Sequence, residues 1–371
     1  MKILFLTTHF NSGGITQYVL TLTKGFIKKG HEVVIVSSGG DRLVDLEKFK
    51  PAAVHRCMNI RTKSELSPKI YTALPPLTNL IRHERIDCIH AQTRVTQVMG
   101  TFLGRLTKRP YVSTCHGFFR PRWSRRLFPA WGDAAIAISP AVGEHLQNDL
   151  GVAPQRVHVI ANGIDLEEFA PASPDDRCRI RQILRIKEGP VMGTIARLSP
   201  VKGIDILIKA MPKVIAQFPS AKLLVVGQGV QLPFLKRLTN DLNLEKQVLF
   251  FPLIGRSREI LGALDIFVTP SRQEGLGISV MEAQACAIPV IASKVGGLIN
   301  LIDDGKTGLL VPVEQPAILA QALILLLKNP QKAKELAQEG RAVVTEKFSA
   351  EEMVNRTLKL YEEKITHHQM H

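Results

Sequence analysis

Between residues 266 and 283 the chain reads Ile-Phe-Val-Thr-Pro-Ser-Arg-Gln-Glu274-Gly275-Leu276-Gly277-Ile278-Ser-Val-Met-Glu282-Ala. A buried strand there runs into a polar loop with two glycines, and a helix is expected to start near Gly277. Glycine lets backbone N–H groups approach a ligand, and a helix N-terminus favours a phosphate. Glu282 falls on the first turns of that helix, where side chains lean toward the N-terminus, so its carboxylate can reach the same pocket. Two acceptor-only carboxylates beside a phosphate site make little sense for a plain anion. They fit a ligand that also offers hydroxyls, as a ribose and a hexose do. The competing reading is a solvated loop carboxylate and a helix-capping one.

A second group begins at His116, which ends the apolar run Tyr111–Cys115 and precedes Gly117. A lone histidine is more often a satisfied structural residue. Beyond it, Arg120, Arg122, Arg125 and Arg126 alternate with Phe118, Phe119, Trp123, Phe128 and Trp131. Such interleaving suits single-stranded nucleic acid, a bilayer interface or an anionic glycolipid. The alternative puts Phe128 and Trp131 in the core and the arginines on a solvated face. The place of the cluster beside His116 favours an acceptor or membrane role over nucleic acid.

These residues need a scaffold, and the apolar runs describe one. Ile3–Leu6 is a short strand run ending in polar Thr7, Thr8 and His9, followed by Gly13 and Gly14. Ile15, Tyr18, Val19, Leu22 and Phe26 recur at helical spacing, Gly30 stops the helix, and Glu32–Val36 is the next strand. Strand, glycine loop, helix and strand within about 35 residues make a βαβ unit of a parallel, doubly wound sheet. Cys88–His90, Tyr111–Cys115, Ala134–Ile138 and Val157–Ile160 read as further strands. The pattern then restarts with Val191–Ala196, Leu223–Val226, Val248–Phe251, Ile266–Thr269 and Val290–Ala292, with helices such as Ile204–Gln217 between them. Two α/β halves imply two sheets, with Asn162–Asp176 as the linker and a default ligand site in the cleft between them. From Ile318 to about Ile365 the pattern is purely helical, and the tail from His367 to His371 reads as a disordered polar end.

The composition sets outer bounds. A chain of 371 residues is too long for one core and suits two domains. The net charge of +15 attracts polyanions, whether nucleic acid, an anionic membrane face or phosphorylated substrates. Residues 1–170 carry 22 Lys/Arg against 13 Asp/Glu and residues 171–371 carry 26 against 20, so the excess is denser in the first half. Five scattered cysteines with no metal spacing suggest a reducing compartment. The opening apolar run is shorter than a leader requires, and no stretch approaches a membrane span. The expected localisation is cytoplasmic, at most peripheral on the inner face of the membrane.

The spacing Glu-x₇-Glu after Ile-Phe-Val-x-Pro-Ser, followed by Glu282-Ala-x-Ala-Cys-Ala-x-Pro-Val-Ile-Ala-Ser, resembles glycosyltransferase family 4. The likeness spans nearly the whole chain. It includes Gly13-Gly14, Gly30-His31-Glu32-Val33, His116-Gly117, Asn162-Gly163-Ile164-Asp165, Arg197, Lys202-Gly203, Val226-Gly227-x-Gly229 and Asp304-Gly305-x-x-Gly308. It implies a GT-B fold, with two Rossmann-like doubly wound parallel-sheet domains facing across a cleft and helices at the C-terminus. Residues 1–165 would bind the acceptor, joined by a C-terminal helix 350–366, and residues 166–349 would bind the nucleotide sugar. In this resemblance Glu274 binds hydroxyls of the donor sugar, Glu282 binds the ribose, and Arg197 with Lys202 neutralises the departing diphosphate. His116 contacts the donor sugar, while Gly14, Gly229, Leu253, Gly275, Leu276, Gly277 and Ile278 are donor-contacting positions. Arg120, Arg122, Trp123, Arg125 and Arg126 would meet the acceptor or membrane.

The implied reaction is transfer, with retention, of a hexosyl or N-acetylhexosaminyl group. The donor would be a nucleotide-diphosphate sugar, with UDP expected, and the acceptor a saccharide or lipid-linked saccharide of cell-envelope glycan (lipopolysaccharide or polysaccharide) synthesis. No Asp-x-Asp occurs, so charge neutralisation by Arg197 and Lys202 without a metal ion or other cofactor is expected. The expected partners are the donor, the saccharide or glycolipid acceptor and an anionic membrane surface, with no nucleic acid. Departures are Ala287, where the family usually has Gly, Asn300 in place of an acid, and Pro252 in the loop that usually meets the nucleobase. An epimerase of the same fold would share the donor site. A basic nucleic-acid-binding protein would explain the charge alone, and an oxidoreductase fails because Thr8–Gly14 is not Gly-x-Gly-x-x-Gly.

Overall fold

The protein is represented by a computed structural model, which describes residues 1–62, 64–119, 125, 128–186, 188–252 and 257–370. The chain divides into two units, Met1–Gly163 with Ala350–His371, and Ile164–Ser349.

The first unit is a seven-stranded parallel sheet in the order β3-β2-β1-β4-β5-β6-β7. In chain order its strands are β1 (Lys2–Leu6), β2 (Glu32–Ser37), β3 (Ala53–Cys57), β4 (Cys88–Ala91), β5 (Tyr111–Cys115), β6 (Ala134–Ala137) and β7 (Val157–Val159). Central strands of a parallel sheet are covered on both faces, so they form continuous apolar runs. Within β1, Ile3 and Phe5 join one core while Leu4 and Leu6 join another. The first core is closed by the helix Gly14–Lys28 through Tyr18, Val19, Leu22 and Phe26, and by the final helix Ala350–Met370 through Met353, Val354, Leu358 and Tyr361. The second is closed by helices Pro68–His83 and Arg94–Thr107.

The last helix is built into this unit. A Cβ on Gly25 would stand 2.2 Å from Val354 Cγ2, so glycine permits the close approach. Tyr361 is fully buried, and its hydroxyl is 2.5 Å from His90 Nδ1. The expectation of a disordered tail is corrected here, because the helix runs on to Met370 and His368 lies 3.8 Å from Asp133.

The second unit is a six-stranded parallel sheet in the order β10-β9-β8-β11-β12-β13. Its strands are β8 (Val191–Ile195), β9 (Lys222–Val226), β10 (Val248–Phe251), β11 (Ile266–Thr269), β12 (Val290–Ser293) and β13 (Leu309–Val311). Helix Ile204–Gln217 and the 316–328 helix pack on one face around Leu207, Met211, Leu319 and Leu323. The change of unit falls within the expected linker Asn162–Asp176, whose last three residues belong to a helix. Residues 174–183 form a helix capped by Ser173, whose side chain accepts from the backbone N–H of Asp176. The change of unit falls where Ile164 donates its backbone N–H to the Phe348 carbonyl at 2.8 Å. Two short strands, β3 and β13, were not anticipated. Among the described residues no helix is long and apolar enough to cross a membrane.

Candidate active site

In an open doubly wound sheet a crevice opens beyond the carboxyl ends of the strands, where the strand order reverses. In the second unit that point lies between β8 and β11, and the chemistry-bearing residues follow these two strands.

After β8 come Arg197 and Lys202, and after β11 come Ser271, Arg272 and Glu274. Lys202 Nζ lies 2.6 Å from Glu274 Oε2, so the pair bridges the switch point. Both side chains are largely withdrawn from water, at 22% and 14% exposure, which strengthens the charge-assisted bond. Ser271 Oγ also donates to Glu274 Oε2, at 3.3 Å. Arg197 is exposed and has no ion pair among the described residues.

A neighbouring clamp holds the two loops together. The Arg272 guanidinium makes a two-pronged contact with Asp205, 2.9 Å on each side, donates to the Pro200 carbonyl at 2.7 Å, and pairs with Glu314 at 2.6 Å. Its backbone N–H donates to the Val201 carbonyl at 2.8 Å. The Arg272 partner holds the Asp205 carboxyl below the usual range despite its burial. Gly203 makes the turn that presents Lys202. Its φ is +62°, and a Cβ there would stand 2.0 Å from the Pro270 carbonyl oxygen. Gly229, expected at the donor, sits where a Cβ would meet the Leu198 carbonyl oxygen at 2.2 Å, so it lets the loop after β9 lie against the loop after β8.

Gly277, with φ +95°, caps the helix Ile278–Ala285. Gly275 and Ile278 are half-buried, Leu276 is buried, and Glu282 is buried one turn into the helix. Leu253 lies outside the described residues.

The first unit has its own switch point, between β1 and β4. Gly14 is exposed at the start of the helix that follows the β1 loop. Gln92 is the first residue past β4, and His116 the first past β5. His116 Nε2 lies 2.8 Å from Gln92 Oε1, and the Tyr18 ring meets the imidazole edge-on, with centroids 5.0 Å apart. Burial pushes the His116 imidazole down to about 3, so it is neutral at ordinary pH. Beneath it runs a buried polar chain, in which the Tyr18 hydroxyl is 3.2 Å from Thr114 Oγ1, itself 2.7 Å from His90 Nε2.

Of the Arg/aromatic cluster, Arg120, Arg122, Trp123 and Arg126 lie outside the described residues. Arg125 stacks over the Phe119 ring at 4.6 Å. Phe119 donates its backbone N–H to His145 Nε2, and the Phe118 ring packs against His145. Trp131 is buried and Phe128 stacks on Phe102, so these two aromatics belong to the core.

Sequence reasoning passed over Gln92, Tyr18, Ser271 and the Arg272–Asp205 clamp. Gln92, Ser271 and Arg272 follow directly on strands beside a switch point, and that position was the available signal.

Residues 176–343 match the family described as glycosyl transferases group 1, and residues 12–168 match glycosyltransferase family 4. A GDP-mannose-dependent alpha-(1-6)-phosphatidylinositol monomannoside mannosyltransferase of Mycolicibacterium smegmatis is 36% identical over 361 residues, covering 91% of this chain and 92% of that protein. Among solved structures, HepE of Anabaena with UDP and glucose superposes with a TM-score of 0.86 at 24% identity, over 98% of this chain and 100% of that one. WaaG, a glycosyltransferase involved in lipopolysaccharide biosynthesis, superposes with a TM-score of 0.76 at 18% identity, over 97% and 99%. The shared architecture is the GT-B fold expected from the sequence.

Proposed function

The chain belongs to the group 1 glycosyl transferases of family 4, and on that premise we propose a retaining, metal-independent hexosyltransferase that acts on a lipid-linked or free saccharide. The observation that carries this reading is the Lys202–Glu274 pair across the β8/β11 switch point, with Arg197 following the same strand as Lys202 and holding no ion pair among the described residues. In the free protein the two side chains satisfy each other. A nucleotide sugar offers each a better partner, because its diphosphate accepts from Lys202 and Arg197 while its hexose hydroxyls donate to Glu274. Glu282 accepts from the ribose, and backbone groups of Gly229 and Gly275 to Ile278 complete the donor site.

Negative charge grows on the diphosphate as its bond to the anomeric carbon breaks, and two fixed cations stabilise that charge without a metal ion. His116 contacts the donor sugar as a neutral ring. Retention follows from front-face attack, in which the acceptor oxygen bonds to the anomeric carbon and its proton passes to the departing phosphate. The first unit takes the acceptor and the second takes the donor.

The name of the 36% identical mannosyltransferase supports a lipid-borne acceptor and brings GDP-mannose beside the UDP-hexoses expected from the sequence. Cell-envelope glycan synthesis at the cytoplasmic membrane face, with Arg120 to Arg126 docking on anionic lipid, agrees with both. A thermal-shift screen of UDP-, GDP- and ADP-sugars tests the donor. A ligand at 100 times its dissociation constant adds about 2.7 kcal/mol. A clear shift with one base is expected, and no shift with any would reject the donor site. Product formation that needs an added acceptor separates a transferase from an epimerase.

A further inference from the structure

We propose that Gln92 is a positioning residue for His116, taking the Nε2–H on its Oε1 and leaving Nδ1 to accept a hydrogen bond from a substrate hydroxyl. The inference rests on the assignment of His116 to the transfer site and gives that ring its tautomer. Gln92 lies at the β1/β4 switch point, and its backbone N–H donates to the Leu6 carbonyl at 2.9 Å, so the root of the side chain is fixed. The residue is 2% exposed, and its Oε1 lies 2.8 Å from His116 Nε2. Its Nε2 is buried with no partner among the described residues. An orphaned buried donor costs stability and asks for an explanation. A leucine or methionine would fill the same space without that cost, so the amide is retained for what its oxygen does.

A second contact fixes the ring. The Tyr18 ring abuts His116 at 79°, and the Tyr18 hydroxyl is tied to Thr114, which is tied to His90. His116 Nδ1 has no partner among the described residues. Among the described residues, the titratable groups around the ring are Tyr18 from helix Gly14–Lys28, His90 from β4 and Cys115 from β5, each held neutral by burial. The positive charge of Arg125 reaches Cys115. In a neutral imidazole one nitrogen donates and the other accepts, and the partner of the first decides which is which.

The test uses ¹⁵N NMR of the histidine rings in the full chain, with His116→Asn for assignment. It is paired with turnover on whichever donor the nucleotide-sugar screen selects. The wild type should show the Nε2–H tautomer and no titration above pH 5. Gln92→Glu places a carboxylate opposite Nε2, so the ring should titrate between pH 5 and 8 and give turnover a new pH-dependent limb. Gln92→Met should keep the fold, mix the two tautomers, lower kcat about tenfold and leave nucleotide affinity unchanged. A wild-type ring protonated on Nδ1 would overturn the proposal, as would Gln92→Met with wild-type tautomer and kcat, or Gln92→Glu without the titration. If no donor is turned over while the NMR results hold, the transfer assignment fails and the ring positioning stands.

Discussion

Arg197 and Lys202 both bring positive charge beside β8, but among the described residues Lys202 alone of the two is in an ion pair. In the proposed reaction charge on the leaving diphosphate grows in the transition state, so Arg197→Ala or Lys202→Ala should lower kcat more than donor affinity. A charge-assisted hydrogen bond is worth about 1.5–3 kcal/mol, which predicts a loss of about 10- to 150-fold in steady-state assays. A change confined to KM would contradict that role. A chelator should leave the wild type active, and full dependence on Mg²⁺ or Mn²⁺ would show that the charge is neutralised otherwise. The first unit adds a dependence of stability on acid. Burial holds the fully buried His90 well below its ordinary value, while the unfolded chain protonates it near 6.5. Below that pH the unfolded state binds more protons, so stability falls as pH falls, by up to about 1.4 kcal/mol per unit. Melting temperatures from pH 7.5 to 5 should show this slope, and His90→Gln should reduce it by the share of His90, the likewise depressed His116 keeping its own. An unchanged slope would assign the acid sensitivity elsewhere.

Among the elements, the central strands were legible because both of their faces are buried, which leaves uninterrupted apolar runs such as Ile3–Leu6 and Ile266–Thr269. The two strands passed over, β3 and β13, are sheet edges. In β3 only Ala53 is buried and the strand ends exposed at Arg56 and Cys57, so Ala-Val-His-Arg-Cys carries no apolar run, and β13 is only three residues long. The Lys202–Glu274 contact joins residues 72 apart in sequence and becomes visible only once the strand order is known. The docked final helix is just as hidden, because Gly25 and Val354 meet only in three dimensions. Gly25→Ala should cost about 1–3 kcal/mol by overpacking, and adding Val354→Ala should restore part of it. Purely additive losses in denaturant melts would mean the two do not touch. Ala287 holds φ +54°, where the family resemblance anticipates glycine. Ala287→Gly should therefore stabilise by about 1 kcal/mol. A drop in melting temperature would mean that its methyl group contributes more packing than its backbone loses.

At the scale of the whole molecule, the charge of +15 is denser over residues 1–170, the span that contains Arg120 to Arg126. Each arginine near an anionic surface contributes about 1 kcal/mol, enough in fours for reversible docking. Vesicle co-sedimentation should show binding to anionic but not neutral lipid, weakened by salt as the screening length shrinks from about 10 Å at 0.1 M to about 3 Å at 1 M. Changing Arg120, Arg122, Arg125 and Arg126 to Gln should abolish it, and equal binding by both proteins would leave the cluster a structural role. The second unit was easier to read than the first, since the Glu274 to Glu282 spacing suits one ligand class while arginines among aromatics suit several. The most direct test is nucleotide-diphosphate release by the full chain from GDP-mannose or a UDP-hexose with a lipid-linked saccharide, comparing wild type with Glu274→Gln. Acceptor-dependent release, about 10- to 150-fold slower in a variant that melts like the wild type, is the predicted result. Equal turnover by both proteins, or release that ignores the acceptor, would contradict it.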